Sequence, residues 1–138
     1  MKKTKIFMVL LLAAVLVLSF SACGKKPVHW ENAIYLEDTE LGDGAKTFAL
    51  EVKAGEKTVT FTVHTDEENV GAALLKNKII EGEDGPYGLY IKKVNGITAD
   101  YDIDQSYWAF YVGGEYATAG ADQTEIKEGT TYGLVYSK

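Results

Sequence analysis

The sequence predicts an α+β domain, and three observations carry that expectation. Two runs alternate apolar and polar residues around a short glycine connection, Phe48–Lys53 and Thr58–His64. A single stretch of helical spacing follows them, and several further strand-like segments separated by glycine turns complete the chain.

In Phe48–Lys53 (FALEVK) one face carries Phe48, Leu50 and Val52. In Thr58–His64 (TVTFTVH) Val59, Phe61 and Val63 point inward while Thr58, Thr60, Thr62 and His64 point outward. With Ala54, Gly55 and Glu56 between them, these runs read as a β-hairpin with one buried face. The string TDEE at 65–68 has the form of a capping box, with Thr65 at the helix start, Glu68 three residues on, and acidic side chains at the positive end of the dipole. Val70, Ala73, Leu74 and Asn77 continue at helical spacing, so a helix is expected to end near Lys78. Gly82, Gly85 and Pro86 mark a loop. Tyr87–Val94 reads as a strand closed by the turn dipeptide Asn95-Gly96, and Asp100–Ser106 reads as a polar loop. Tyr107–Val112 (YWAFYV) is the most aromatic strand. Gly113-Gly114 turns it into a short return strand at Tyr116–Thr118, and Thr131–Tyr136 is the last strand, after a Glu128-Gly129 turn. Hairpin followed by helix is the element order of β-grasp folds. The expected architecture is thus a β-grasp-like, antiparallel-rich sheet of about six strands with one helix.

The N-terminus has the three parts of a secretory signal: Lys2, Lys3 and Lys5, an uncharged apolar run from Ile6 to Leu18, and small residues before a cysteine in LSFSAC. The apolar run is shorter than the roughly 20 residues of a spanning helix. Ser21, Ala22 and Cys23 resemble the bacterial lipobox, with Phe20 where leucine is usual. Residues 1–22 are therefore expected to be a lipoprotein signal peptide and Cys23 the lipidated residue. A free thiol or an intermolecular disulfide is the alternative for Cys23, the sole cysteine. Residues 23–46, acidic and punctuated by glycine, are expected to form a tether. Trp30, Ile34, Tyr35 and Leu36 stand out there as an extra docked strand or as part of what the domain presents. The domain proper is expected over 47–138. The leader takes three lysines with it, so 14 basic and 20 acidic side chains become 11 and 20, a balance of −9. Such a domain is repelled by phosphate backbones, which argues against nucleic acid as a partner.

Catalytic groups are sparse. The mature serines are Ser106 and Ser137 and the histidines His29 and His64, and no nucleophile-elbow glycines surround Ser106, so an enzyme is not expected. Asp100, Asp102 and Asp104 begin a calcium-loop pattern, but Gln105 and Tyr111 occupy the positions that require glycine and glutamate, and no metal site is expected. Eight aromatics, Tyr87 to Tyr116, fall within 30 residues. Alternation in Tyr107–Val112 assigns Trp108, Phe110 and Val112 to the core and leaves Tyr107 and Tyr111, with Tyr116, on an outer face. That face suits a flat organic ligand, a sugar or a protein surface; ordinary strand propensity of tyrosine accounts for it equally well.

The segment SYWAFYVGGEYATAGAD resembles the C-terminal β-domain of transcobalamin and intrinsic factor and its bacterial relatives of unassigned function. Tyr107, Trp108 and Phe110 match the family's strand, Gly120 and Asp122 its Gly-x-Asp corner, and Gly129 and Tyr132 its closing turn and strand. TVTFTVHTDEENVGAALL and YGLYIKKVNG are similar as well, so the resemblance runs from Phe48 to Tyr136. Ala109 stands where the animal proteins carry glutamine, and the corner is one residue shorter. Their large helical α/α-barrel half is absent from this chain. The resemblance implies a cell-surface binding module that captures cobalamin or another bulky ligand for a membrane transporter, with Tyr107, Tyr111, Tyr116 and Asp122 as candidate ligand-binding residues. It implies half a cobalamin site at most, with cobalamin as a possible ligand and no certain cofactor; the expected partners are the membrane, through the lipid anchor, and a small-molecule ligand or membrane transporter. The alternative is a surface protein- or glycan-interaction domain without a small-molecule ligand.

Overall fold

A computed structural model describes residues 29–138; the expected signal peptide, residues 1–22, and the expected lipidation site Cys23 lie outside the described residues. Among the described residues nine strands form two sheets. The larger sheet has the order β1-β3-β2-β9-β7-β8, built from β1 (Thr39–Gly42), β2 (Lys46–Ala54), β3 (Lys57–Thr65), β7 (Tyr107–Val112), β8 (Glu115–Tyr116) and β9 (Thr131–Ser137). The smaller sheet is β4 (Ile80–Gly85), β5 (Gly88–Val94) and β6 (Ile97–Thr98), all antiparallel. One main helix, α1 (Val70–Lys76), follows the first hairpin, and a single turn, α2 (Tyr101–Asp104), precedes β7.

The β2–β3 hairpin forms as its alternation requires. Phe48, Leu50, Val52 and Ala54 face Val59, Phe61 and Val63 inward, each 2% exposed or less. Full burial of side chains of this size stabilises by about 1.5–3 kcal/mol apiece. Two pairings in the large sheet, β1 with β3 and β2 with β9, are parallel, so the expected single antiparallel-rich sheet becomes a mixed sheet with a second sheet beside it. Residue alternation specifies which face is buried and says nothing about which distant strand lies alongside or in which direction.

Three local expectations are corrected. The helix is capped by Asn69, not Thr65. Asn69 Oδ1 accepts from the Ala72 amide at 2.8 Å, whereas Thr65 remains in register with Lys46 as the last residue of β3 and its hydroxyl accepts from the Glu67 amide. Continuation of the β ladder thus wins over the capping box, and no acidic residue lies in the first turn of the helix. The acidic, glycine-bearing stretch 80–85, expected as a loop, is strand β4 with four exposed residues, held by backbone pairing to β5 and by the Lys92–Glu83 and Lys93–Glu81 pairs. Residues 100–106, also expected as a loop, contain α2. Asp100 caps that turn by accepting from the Asp102 amide, and Gln105 closes it in the left-handed conformation.

Of the segment expected to be a tether, residues 29–46 are described, and they belong to the domain. Trp30 is fully buried and its indole N–H donates to the Ala54 carbonyl at 2.9 Å. Tyr35 packs edge-on against Phe61, and Thr39–Gly42 is the parallel edge strand beside β3. A lysine over the Trp30 ring, Lys57 Nζ at 5.6 Å from its centroid, completes the strap.

Candidate functional site

A groove of about 670 Å³ lies between the two sheets. Its first wall is the β4–β5 hairpin from Pro86 to Ile91. Its second is the segment from Tyr116 to Ala121 with Gln123, and Tyr107, Trp108 and Phe110 of β7 lie between them. Volume and aromatic lining are those of a site for a small organic molecule. None of the lining side chains is an acid or a base of the Asp, Glu, Lys or Arg type, although a quarter of the chain is charged. Tyr87, 93% exposed, and Tyr116, 63% exposed, stand at the rim with the less exposed Tyr90.

Trp108 and Phe110 face inward as alternation requires, yet they also belong to the groove because β5 covers β7 only in part. Each is fixed from behind. The Trp108 indole donates to the Ile97 carbonyl at 3.2 Å and meets Tyr136 edge-on, while Phe110 stacks parallel to Tyr132 at 6.1 Å. Tyr132 is held in turn by its hydroxyl, which accepts from the Lys127 amide at 3.0 Å. A base set into the core in this way keeps its rotamers when a ligand arrives.

Tyr107 and Tyr111 share a face of β7 but line different hollows. Tyr107 and Tyr116 line the groove. Tyr111 meets Tyr116 edge-on at 5.5 Å but belongs to a smaller hollow of about 180 Å³ with Glu51, Lys53 and Thr58. Asp122 does not line the groove, although its neighbours Ala121 and Gln123 do. The residues that sequence reasoning left out are the hairpin wall, Tyr87, Leu89, Tyr90 and Ile91, and the floor, Trp108 and Phe110. The string PYGLY carried the signal for the wall: two tyrosines in a hairpin tip.

The groups weighed for catalysis lie in separate networks. The Ser106 hydroxyl donates to Asp104 and accepts from the Asp100 amide at 3.0 Å, whereas His64 sits between Thr47, at 2.9 Å, and Glu40. Ser106 is therefore a clip for α2. Its hydroxyl first, and then its amide, hold the Asp104 carboxyl below the ordinary carboxylate range, with Lys138 adding attraction. A carboxyl lowered in the folded state contributes stability above its unfolded pKa and loses that contribution as pH falls through the folded value. In an acid titration followed by NMR, Ser106→Ala should move the Asp104 midpoint upward; an unchanged midpoint would contradict the clip. Among the described residues no three His, Cys, Asp or Glu side chains converge to hold a metal ion.

The family described as Domain of unknown function (DUF4430) matches residues 67–137, just over half of the chain. The chain belongs to this family. A crystal structure of a "putative metal binding protein" from Ruminococcus gnavus is similar at 33% identity, over 68% of this chain and 98% of that one, with a TM-score of 0.64. Haptocorrin in complex with Cbi is similar at 23% identity and a TM-score of 0.57, over 67% of this chain and 25% of the haptocorrin. The chain thus spans a quarter of the haptocorrin's length, and that likeness concerns the fold. It bears out the transcobalamin-type resemblance, expected from Phe48 to Tyr136, at the level of fold. No curated protein matches.

Proposed function

We propose that this member of the family is an extracytoplasmic, lipid-anchored capture module whose groove takes a bulky, uncharged organic ligand of the cobalamin type and delivers it to a membrane transporter. The observation that carries the reading is the groove itself: a tyrosine-bearing hairpin wall and a wall of mostly small residues on an aromatic floor, without a charged side chain, on an otherwise acidic domain. The fold likeness to haptocorrin in complex with Cbi supports a corrinoid, and the signal-peptide pattern ending at Cys23 supports the anchor. The scaffold is of β-grasp type; the parallel pairing of β2 with β9 after a hairpin and helix supports that assignment. The R. gnavus protein is described as metal binding, whereas among the described residues of this chain no three His, Cys, Asp or Glu side chains converge. The module binds and does not catalyse.

Titration of the full chain, purified in detergent, with cobalamin and with cobinamide should give heat and a shift in corrin absorbance. Tyr90→Ala with Tyr116→Ala should weaken binding at least about tenfold, since anchoring aromatics each contribute more than about 1 kcal/mol. No heat and no spectral change with either corrinoid would remove the ligand. Mass spectrometry of membrane fractions should find a diacylated Cys23 at the mature N-terminus; an unmodified Cys23 or a retained leader would remove the anchor.

A further inference from the structure

We infer that Asp122 is a positioning residue that latches the two walls of the groove together and makes no contact with the ligand. As a statement about binding this rests on the capture reading above; as a statement about the walls it stands on geometry alone. The walls come from different sheets. Gly88 and Leu89 open β5 of the small sheet, whereas Gly120, Ala121 and Gln123 follow β8 of the large one. Across 33 positions of sequence, the Leu89 amide donates to Asp122 Oδ2 at 3.2 Å. Asp122 sits in the 3-10 turn Ala121–Gln123, is half-buried, and lines a separate polar hollow with Lys46, Glu68, Asn69 and Glu125, not the groove.

Three glycines are shaped around it. A Cβ at Gly88 would lie 3.0 Å from Asp122 Oδ2 and 3.1 Å from Oδ1, and one at Gly120 would lie 2.9 Å from Oδ1. Gly88 also has φ +106, which favours glycine. Behind the turn, a Cβ at Gly71 of α1 would come within 2.8 Å of the Asp122 backbone, so helix, turn and hairpin are in direct contact there. Asp122 Oδ1 is withdrawn from water and has no hydrogen-bond partner among the described residues. Burying an acceptor without a partner is costly. The side chain keeps that position because of what Oδ2 holds, which is the first amide of the hairpin wall after the glycine.

The full chain carrying Asp122→Ala or Asp122→Asn tests this. Hydrogen exchange should show the Leu89 amide exchanging about tenfold faster in the alanine variant, with the hairpin tip following and β2 and β3 unchanged. Asparagine retains an acceptor oxygen, so it should restore Leu89 protection. With dicyanocobinamide as probe, affinity should fall about tenfold for alanine and stay within about threefold of wild type for asparagine. An unchanged Leu89 rate in the alanine variant, equal acceleration of β2 and β3, or an asparagine variant as poor as alanine would overturn the latch. If the wild-type chain fails to bind dicyanocobinamide, the capture reading falls, and the exchange arms still decide the latch.

Discussion

Trp30→Ala should lower the stability of the domain by about 3–5 kcal/mol, the range for truncating a buried large aromatic. Its ring is fully enclosed, its indole N–H satisfies the Ala54 carbonyl at the end of β2, and Lys57 lies over its face. Truncation therefore removes packing, orphans a buried carbonyl and leaves a cavity beneath the β2–β3 turn. For a domain of this size, such a loss corresponds to a fall of roughly 10–20 °C in Tm. Thermal denaturation of the full chain measures it. A residue in a solvated tether would change stability by no more than about 0.5 kcal/mol, so a shift below about 2 °C would show that the domain begins after residue 46 and that the strap is not part of the fold.

The strap also shows where sequence reasoning stops. Trp30, Ile34, Tyr35 and Leu36 were conspicuous in a polar stretch, but nothing local says that the Trp30 indole meets a carbonyl 24 residues away. The strand β1, with sequence TELG, is too short and polar to alternate visibly, and it exists because β3 offers a free edge. Likewise β4 has the composition of a loop, and the neighbouring β5 makes it a strand. The long amphipathic runs of β2, β3 and β7 were legible because their period carries the information. The candidate site was half legible for the same reason. Alternation sorted Trp108 and Phe110 from Tyr107 and Tyr111, but equated facing inward with being covered. Each is nearly buried, and the floor of the groove is the part that β5 leaves open.

The Asn95-Gly96 turn extends that point into a second large effect. The dipeptide was readable as a hairpin turn, and it is one, joining β5 to β6. Its second role is not local. Asn95 Oδ1 accepts from the Tyr35 amide at 2.8 Å, Nδ2 donates to the Tyr35 carbonyl at 2.8 Å, and the Asn95 carbonyl accepts from the Ile34 amide at 3.0 Å. One turn residue, itself buried, thus clasps the strap at Ile34 and Tyr35, while Trp30 anchors it on β2. Asn95→Ala loses both side-chain bonds and sets alanine, which tolerates the left-handed region less well than asparagine, at φ +50, so it should cost about 3–5 kcal/mol. Asn95→Gly loses the same bonds but tolerates the backbone, and should cost about 1 kcal/mol less. Chemical denaturation of the two variants separates the clasp from the conformation, and equal stability of wild type and Asn95→Gly would eliminate the clasp. Because Trp30 and Asn95 hold the same short segment, detaching one end leaves less for the other to lose. The double variant Trp30→Ala/Asn95→Ala should therefore fall short of the sum of the single losses by about 1–3 kcal/mol. Additivity within about 0.5 kcal/mol would mean that the two residues hold separate pieces of chain, and the strap would cease to be a single cooperative element.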